Sequence, residues 1–202
     1  MRKNLQALGD WRTVEEKICS SYRRLAASRL PVNLYSAQAR MQRRAATLLH
    51  GIESGASLWE ELDCCQLTDD MRGDRASLLL GGVAGGVALS SSSRSGLLAS
   101  AGAGTLFISH LEKLAPAAQK ILYRIIETGR YTPIGDPYPR PVNCRIIVAS
   151  KRPLLELANG FMLERELADL LGRISLKAED VIHALEAKRI YQSHPGSLAA
   201  AS

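Results

Sequence analysis

The sequence predicts an α/β protein: a three-layer αβα sandwich in which helices cover both faces of a mostly parallel sheet. Two stretches carry that expectation. "TLFI" (105–108) and "CRIIVAS" (144–150) are short, nearly unbroken runs of apolar and β-branched residues, the pattern of strands buried on both faces. Around them lie segments with helical spacing of apolar residues, so strand and helix alternate along the chain. At 202 residues and 46% hydrophobic, the chain carries enough apolar material for one core.

Taken in order, residues 13–28 suit a helix, "PVNLY" (31–35) a short strand, and 38–52 an arginine-rich amphipathic helix. "SLWEEL" (57–62) is a strand candidate ahead of "DCCQL". Residues 81–104, with "GGVAGG" and "SSSRSG", have loop composition. After the strand at 105–108, "PAAQKILYRIIETG" (116–129) reads as a helix stopped by Gly129. The second strong strand follows at 144–150, then a helix over 161–172. "RISL" (173–176) suits a last short strand and "AEDVIHALEAKRI" (178–190) a closing helix before a polar tail.

Bulk properties exclude several classes. No apolar run reaches the roughly 18 residues that a membrane span needs. The N-terminus has basic residues without the long apolar stretch of a secretory signal. Cys19, Cys64, Cys65 and Cys144 form no CxxC pair, and adjacent Cys64 and Cys65 are not a zinc half-site. Reduced thiols in a cytoplasmic protein are therefore expected. The net charge of +6 is one-sided: residues 1–44 hold ten Lys or Arg against three acids, the remainder sixteen against seventeen. Such an end suits a solvated helix face, an acidic protein partner or nucleic acid. Few aromatics interleave with the charges, which favours the solvated face.

Several stretches together resemble the AAA+ core of bacterial enhancer-binding proteins, the ATPases that activate sigma-54 RNA polymerase. "GTLFISHLEKL" (104–114) is similar to the family's GTLFLDEIGEL, and "QKILYRIIETGRYTPIG" (119–135) to its QxxLLRVLQEGxFxRVG. "CRIIVASKRPLLEL" (144–157) resembles VRIIAATNRDLxEL, "LDCCQL" resembles VNCAAL, and "LERELADLL" (163–171) resembles FREDLYYRL. The resemblance implies a P-loop NTPase fold, with residues 1–176 as core, 177–190 as a truncated remnant of the helical lid and 191–202 as a flexible tail. Gly135 is among the scaffold residues kept.

The departures fall on the family's chemistry. A phosphate loop needs glycines so that backbone N–H groups wrap the phosphates, and a lysine beside them. The matching stretch is "SAQARMQR" (36–43), with no glycine, Gln42 in the lysine's place and Arg43 after it. Arg40, Arg43 and Arg44 are the cations near enough to grip an anion there. Where the family's acidic pair holds magnesium and activates water, this chain has Ser109 and His110. Adjacent strand residues point to opposite faces, so these two are not expected to form a nucleophile and base. No third member to orient the histidine is evident. Lys151 stands at the phosphate-sensing asparagine, and Glu164 and Leu170 at the two trans-acting arginines. Arg165 is next to the first, but a one-residue register shift turns a helix by about 100°. The sigma-54 contact loop corresponds to "GGVALS" (85–90), with Gly85, Gly86, Val87, Ala88 and Leu89 as a weak partner-contact segment lacking the family's aromatic and threonine.

His50 is expected to pack or cap, His183 to be structural or exposed, and His194 to be solvated; no metal site has sequence support. The resemblance implies ATP and magnesium as cofactors, but these departures lead to an expectation of no cofactor and no catalysis. The expected role is regulation of transcription by protein contact, with an active AAA+ homologue or another transcription-regulatory protein as partner. Two alternatives stay open: a nucleic-acid adaptor working through residues 1–44, and an ATPase with a relocated site.

Overall fold

The computed structural model describes residues 20–22, 24–25, 28, 30–53, 58–66, 96–133 and 137–193. The contact-loop segment 85–90, Gly135, His194 and most of the basic stretch before residue 30 lie outside the described residues. Within the expected helix 13–28, the described positions are helical.

Strand β1 (Val32–Tyr35) leads into helix α1 (Ala39–Glu53), followed by β2 (Trp59–Asp63), α2 (Gly96–Ser100) and β3 (Thr105–Ser109). A 3-10 turn (Leu111–Lys113) precedes α3 (Pro116–Thr128). Next come the two-residue strands β4 (Arg130–Tyr131) and β5 (Arg140–Pro141), then β6 (Arg145–Ser150). The chain continues through α4 (Leu154–Asn159), α5 (Arg165–Leu171), β7 (Ser175–Lys177) and α6 (Ala178–Ser193). The main sheet has the order β2-β3-β6-β1-β7, with every pairing parallel. β4 and β5 form a separate antiparallel ribbon.

Parallel pairing forces each crossover onto a sheet face, and the side-chain period of two divides the core accordingly. Val32, Ile147 and Phe107 stand in register across three strands and pack under Ala45, Ala46 and Leu49 of α1 and Ala178, Val181 and Ile182 of α6. On the opposite face Leu106, Ile108, Ile146 and Val148 pack under α3 and α5 through Leu122, Ile125, Leu167 and Leu171. The three-layer expectation is met. All residues of β3 and β6 are buried, including the polar Thr105, Ser109, Arg145 and Ser150 at their ends.

Three elements differ from the sequence reading. The tract 81–104 was expected as loop, yet Gly96–Ser100 is helical with Leu98 buried; flanking glycine and serine mask five residues of helix. The helix expected over 161–172 begins at Arg165, and a separate helix, α4, precedes it. Between them Gly160 ends α4 and Phe161 takes a left-handed φ of 55°. At the carboxyl end, α6 runs to Ser193, beyond the expected start of the tail.

Buried polar groups tie the strand ends together. Asn33 of β1 accepts a hydrogen bond from the Ser150 hydroxyl (3.1 Å) and donates to the Ser175 hydroxyl (2.9 Å), linking β6, β1 and β7. The Ser36 hydroxyl donates to Glu179 at 2.6 Å, joining the turn after β1 to the first turn of α6. This bond is the largest influence on the Glu179 carboxyl and holds it below its ordinary value of 4.5, against partial burial and aided by its own backbone N–H and by Lys177.

At the other end of the sheet, Gly104 lies against Leu58 so closely that a Cβ would sit 2.0 Å from the Leu58 carbonyl oxygen. The approach is fixed on both sides, since Thr105 N–H donates to that oxygen (2.8 Å) and Arg145 N–H donates to the Gly104 carbonyl (2.8 Å). Backbone cannot give way as a flexible side chain can. Gly104→Ala should therefore destabilise the protein by roughly 2–3 kcal/mol, as overpacking does. Urea unfolding will show a lower midpoint at unchanged slope; an unaltered midpoint would mean the strand ends yield freely.

Glu179 supplies a pH-dependent counterpart. A depressed carboxyl stabilises the fold above its unfolded value and loses that contribution as pH falls through the folded value. Glu179→Gln should cost about 1 kcal/mol at neutral pH, the scale of one hydrogen bond. The gap between wild type and variant should close as the pH drops below 4.5. A gap of constant size across that range would count against the Ser36–Glu179 bond as its source.

Candidate functional site

The carboxyl edge of a parallel sheet is where α/β proteins commonly bind ligands, and Gln42, Ser109, His110 and Lys151 of the residues singled out from the sequence lie at or after strand ends there. Only Ser36, Ala37 and Gln38 separate β1 from α1. Met41 N–H and Gln42 N–H both donate to the Gln38 carbonyl, at 3.0 and 3.3 Å. Backbone amides in the stretch matched to a phosphate loop are thus engaged in the first turn of α1.

Gln42, expected at the lysine's position, points back to the strands. It is 1% exposed. Its Nε2 donates to the Ser36 carbonyl (2.6 Å) and the Ser150 carbonyl (2.9 Å), bridging the ends of β1 and β6. Its Oε1 has no hydrogen-bond partner among the described residues. The nearby arginines do not converge. Arg40 Nε donates to the Gln38 side chain (3.1 Å), Arg43 pairs with Glu61 (2.7 Å) and Arg44 with Glu186 (2.6 Å).

At the adjoining end of β3, Ser109 is buried and His110 adopts a left-handed φ of 55°. That backbone state breaks the strand alternation on which the opposite-face reading of this pair rested. The His110 ring turns toward β2, with Nδ1 2.9 Å from Asp63 Oδ1. The same oxygen accepts the Cys65 N–H at 2.9 Å. Burial raises the Asp63 carboxyl, but bonds from Cys65 N–H, His110 and Ser109 outweigh it and hold the group below its ordinary 3.8. The expectation that nothing orients the histidine is thereby corrected: Asp63 does. Sequence reasoning missed it because the contact joins two residues 47 positions apart. The register Asp63↔Ser109 makes the two strand ends neighbours.

Asp63, Cys65 and His110 each place a ligand atom within 4.8 Å of the others, the one such group found among the described residues. No other candidate joins it. Lys151 is exposed beyond β6. Glu164 caps the start of α5, its N–H donating to the Gln119 side chain at 2.7 Å, and Leu170 lies on the same helix. Arg165 is exposed and bonds within its own surroundings, to Asp169 and Asn159. His50 sits 2.9 Å from the Thr105 hydroxyl and edge-on to Trp59. His183 is exposed on α6. No described helix is long and apolar enough to cross a membrane.

Known proteins resemble this chain in sequence and in fold. The transcription regulator NorR of Aliivibrio fischeri is 35% identical over 116 residues, covering 57% of this chain and 21% of NorR. The C4-dicarboxylate transport regulatory protein DctD of Rhizobium meliloti is 38% identical over 58 residues, covering 29% of this chain and 13% of DctD. The chain thus spans about a fifth or less of the length of these two relatives. The crystal structure of NtrX from Brucella abortus superposes with a TM-score of 0.61 over 96% of this chain and 46% of NtrX, at 13% identity, a likeness of fold. The model of the sigma-54 interaction domain matches residues 14–177, a span reaching from before β1 through β7 and including every strand of the main sheet. The chain belongs to the sigma-54 interaction domain family.

Proposed function

We propose that this protein is a catalytically inactive member of its family that regulates transcription in the bacterial cytoplasm by protein contact, joining or inhibiting the ring of an active enhancer-binding ATPase. One observation carries the reading: the Gln42 amide is seated on the Ser36 and Ser150 carbonyls, in the space a phosphate-binding lysine would serve. A lysine there brings charge to an anion; a neutral amide satisfied by two carbonyls brings none. The early start of α1 at Ala39 supports it, because a phosphate cradle needs amides free of helix bonding. Ser109 further along the edge supplies no carboxylate for magnesium, and Glu164 and Leu170 supply no cation to a neighbour's phosphates.

NorR and DctD are named as transcription regulators, which gives the system in which such contact would act. The expected partner is an active homologue of the same family; the segment 85–89 is the proposed contact to transcription machinery. The nucleic-acid alternative finds less support, since Arg43 and Arg44 of the basic segment are engaged by Glu61 and Glu186.

Nucleotide should leave the melting temperature where it is. A ligand at a hundred times its dissociation constant stabilises by about 2.7 kcal/mol, which shifts a domain of this size by more than a degree. Millimolar ATP with magnesium should produce no such shift in wild type or in Gln42→Lys, because restoring the charge does not restore the loop. A shift with ATP that sulfate and triphosphate do not match would sink the inactive reading and revive the ATPase with a relocated site.

Mixing tests the regulatory half. Titrated into an ATPase assay of an active homologue from the same cell, the protein should lower turnover and co-elute with it on size exclusion. The effect should weaken as salt rises, if the basic end steers association. Unchanged turnover without co-elution at low salt would overturn ring entry and favour the nucleic-acid adaptor.

A further inference from the structure

We propose that Asp63, Cys65 and His110 bind a divalent transition-metal ion of the zinc class at the carboxyl ends of β2 and β3. The three residues come from the last position of β2, the turn after it and the first position after β3. Their ligand atoms lie within 4.8 Å of one another. Zinc–ligand bonds of about 2.0–2.3 Å put tetrahedral ligand atoms roughly 3.3–3.8 Å apart, so the widest pair closes by about 1.5 Å at most. Cys65 is exposed in the turn after β2, so its side chain is the one of the three with most room to move toward the others. Asp63 and His110, 2.9 Å apart in a hydrogen bond, need only part by about 0.4 Å to reach ligand spacing.

The donor set selects the ion. A thiolate, an imidazole and a carboxylate suit zinc, cobalt or iron, whereas magnesium and calcium take oxygen ligands. Three protein ligands leave a fourth position for water or for a group on a partner. Side-chain exposures of 25% for Asp63 and 18% for His110 keep the group open to solvent, which gives the ion a path in. The ligands are also held before it arrives: Asp63 Oδ1 takes the Cys65 N–H and faces His110 Nδ1, and the left-handed backbone of His110 aims its ring at β2. On binding, the ion takes the place of any proton on His110 Nδ1, and the Cys65 thiol gives up its proton to solvent so that it binds as thiolate. The consequence is a clasp between the turn after β2 and the end of β3. It forms whether or not the protein turns over ATP, so failure of either reading leaves the other standing.

Cobalt(II) added to the chelator-stripped full-length chain tests the site, because a thiolate ligand produces an intense charge-transfer absorption that oxygen and nitrogen ligands do not. Wild type should show this band saturating at one equivalent, lost on adding zinc and unaffected by excess magnesium. Cys65→Ser, which keeps Cys19, Cys64 and Cys144, should abolish the band while its circular dichroism stays that of wild type. His110→Gln and Asp63→Asn should each weaken affinity at least about tenfold. Should His110→Gln fail to fold, Asp63→Asn decides. A band that persists in Cys65→Ser, the absence of any band in wild type, or affinity unchanged in both ligand variants would overturn the proposal.

Discussion

The strands of a parallel sheet end with carbonyl groups that the sheet itself does not satisfy, and burying them requires donors from elsewhere. Here the ends of β1 and β6 are served by one side chain: Gln42 donates to both Ser36 and Ser150, and Ser36 N–H gives a second bond to Ser150. An ammonium in the same place would also satisfy two carbonyls, but it would carry a buried charge needing an anion beside it. The neutral amide removes that need. With Gln42 fixed, α1 starts three residues after β1, and its Ala45, Ala46 and Leu49 fall onto Val32, Phe107 and Ile147. The same edge is then tied outward, through Ser36 to Glu179 and through Asn33 to Ser175.

How much of this was legible in the sequence depended on the range of the forces concerned. β3 and β6 were plain because burial on both faces leaves a run of apolar residues that needs no knowledge of neighbours. α3 was plain from its spacing, with Pro116 in its first turn and Gly129 at φ 64° after its last. α2 was hidden because Gly96 and the serines before it carry loop composition, while its buried residues are only Gly96 and Leu98. The split between α4 and α5 was hidden for a different reason: the break depends on Phe161 adopting a positive φ, which its side chain does not advertise.

The site divides in the same way. Gln42, Ser109 and His110 could be found by position, since each stands in a recognisable stretch. Asp63 could not, because what matters about it is a contact made by sheet order. The signal that was available is topological: if β2 and β3 are neighbours, their last residues must meet, and Asp63 then faces the end of "TLFIS". Cys65 follows from Asp63 by chain continuity. Its partner Cys64 turns inward and is buried in the core, which is why two adjacent cysteines do not form one chemical unit.

The edge therefore has two different halves on one scaffold. Between β1 and β6 it is closed by a buried neutral amide; between β2 and β3 it stays accessible and carries an acid, an imidazole and a thiol. Nothing in the core forces either state. The residues that align across the strands, Val32, Ile147 and Phe107 on one face and Leu106 and Ile146 on the other, lie below the edge, and most of the polar edge residues contribute nothing to those rows. Stability resting on apolar rows leaves the strand ends free to hold different side chains without refolding the sheet. That separation is how one fold can close one half of its edge while keeping the other open to solvent.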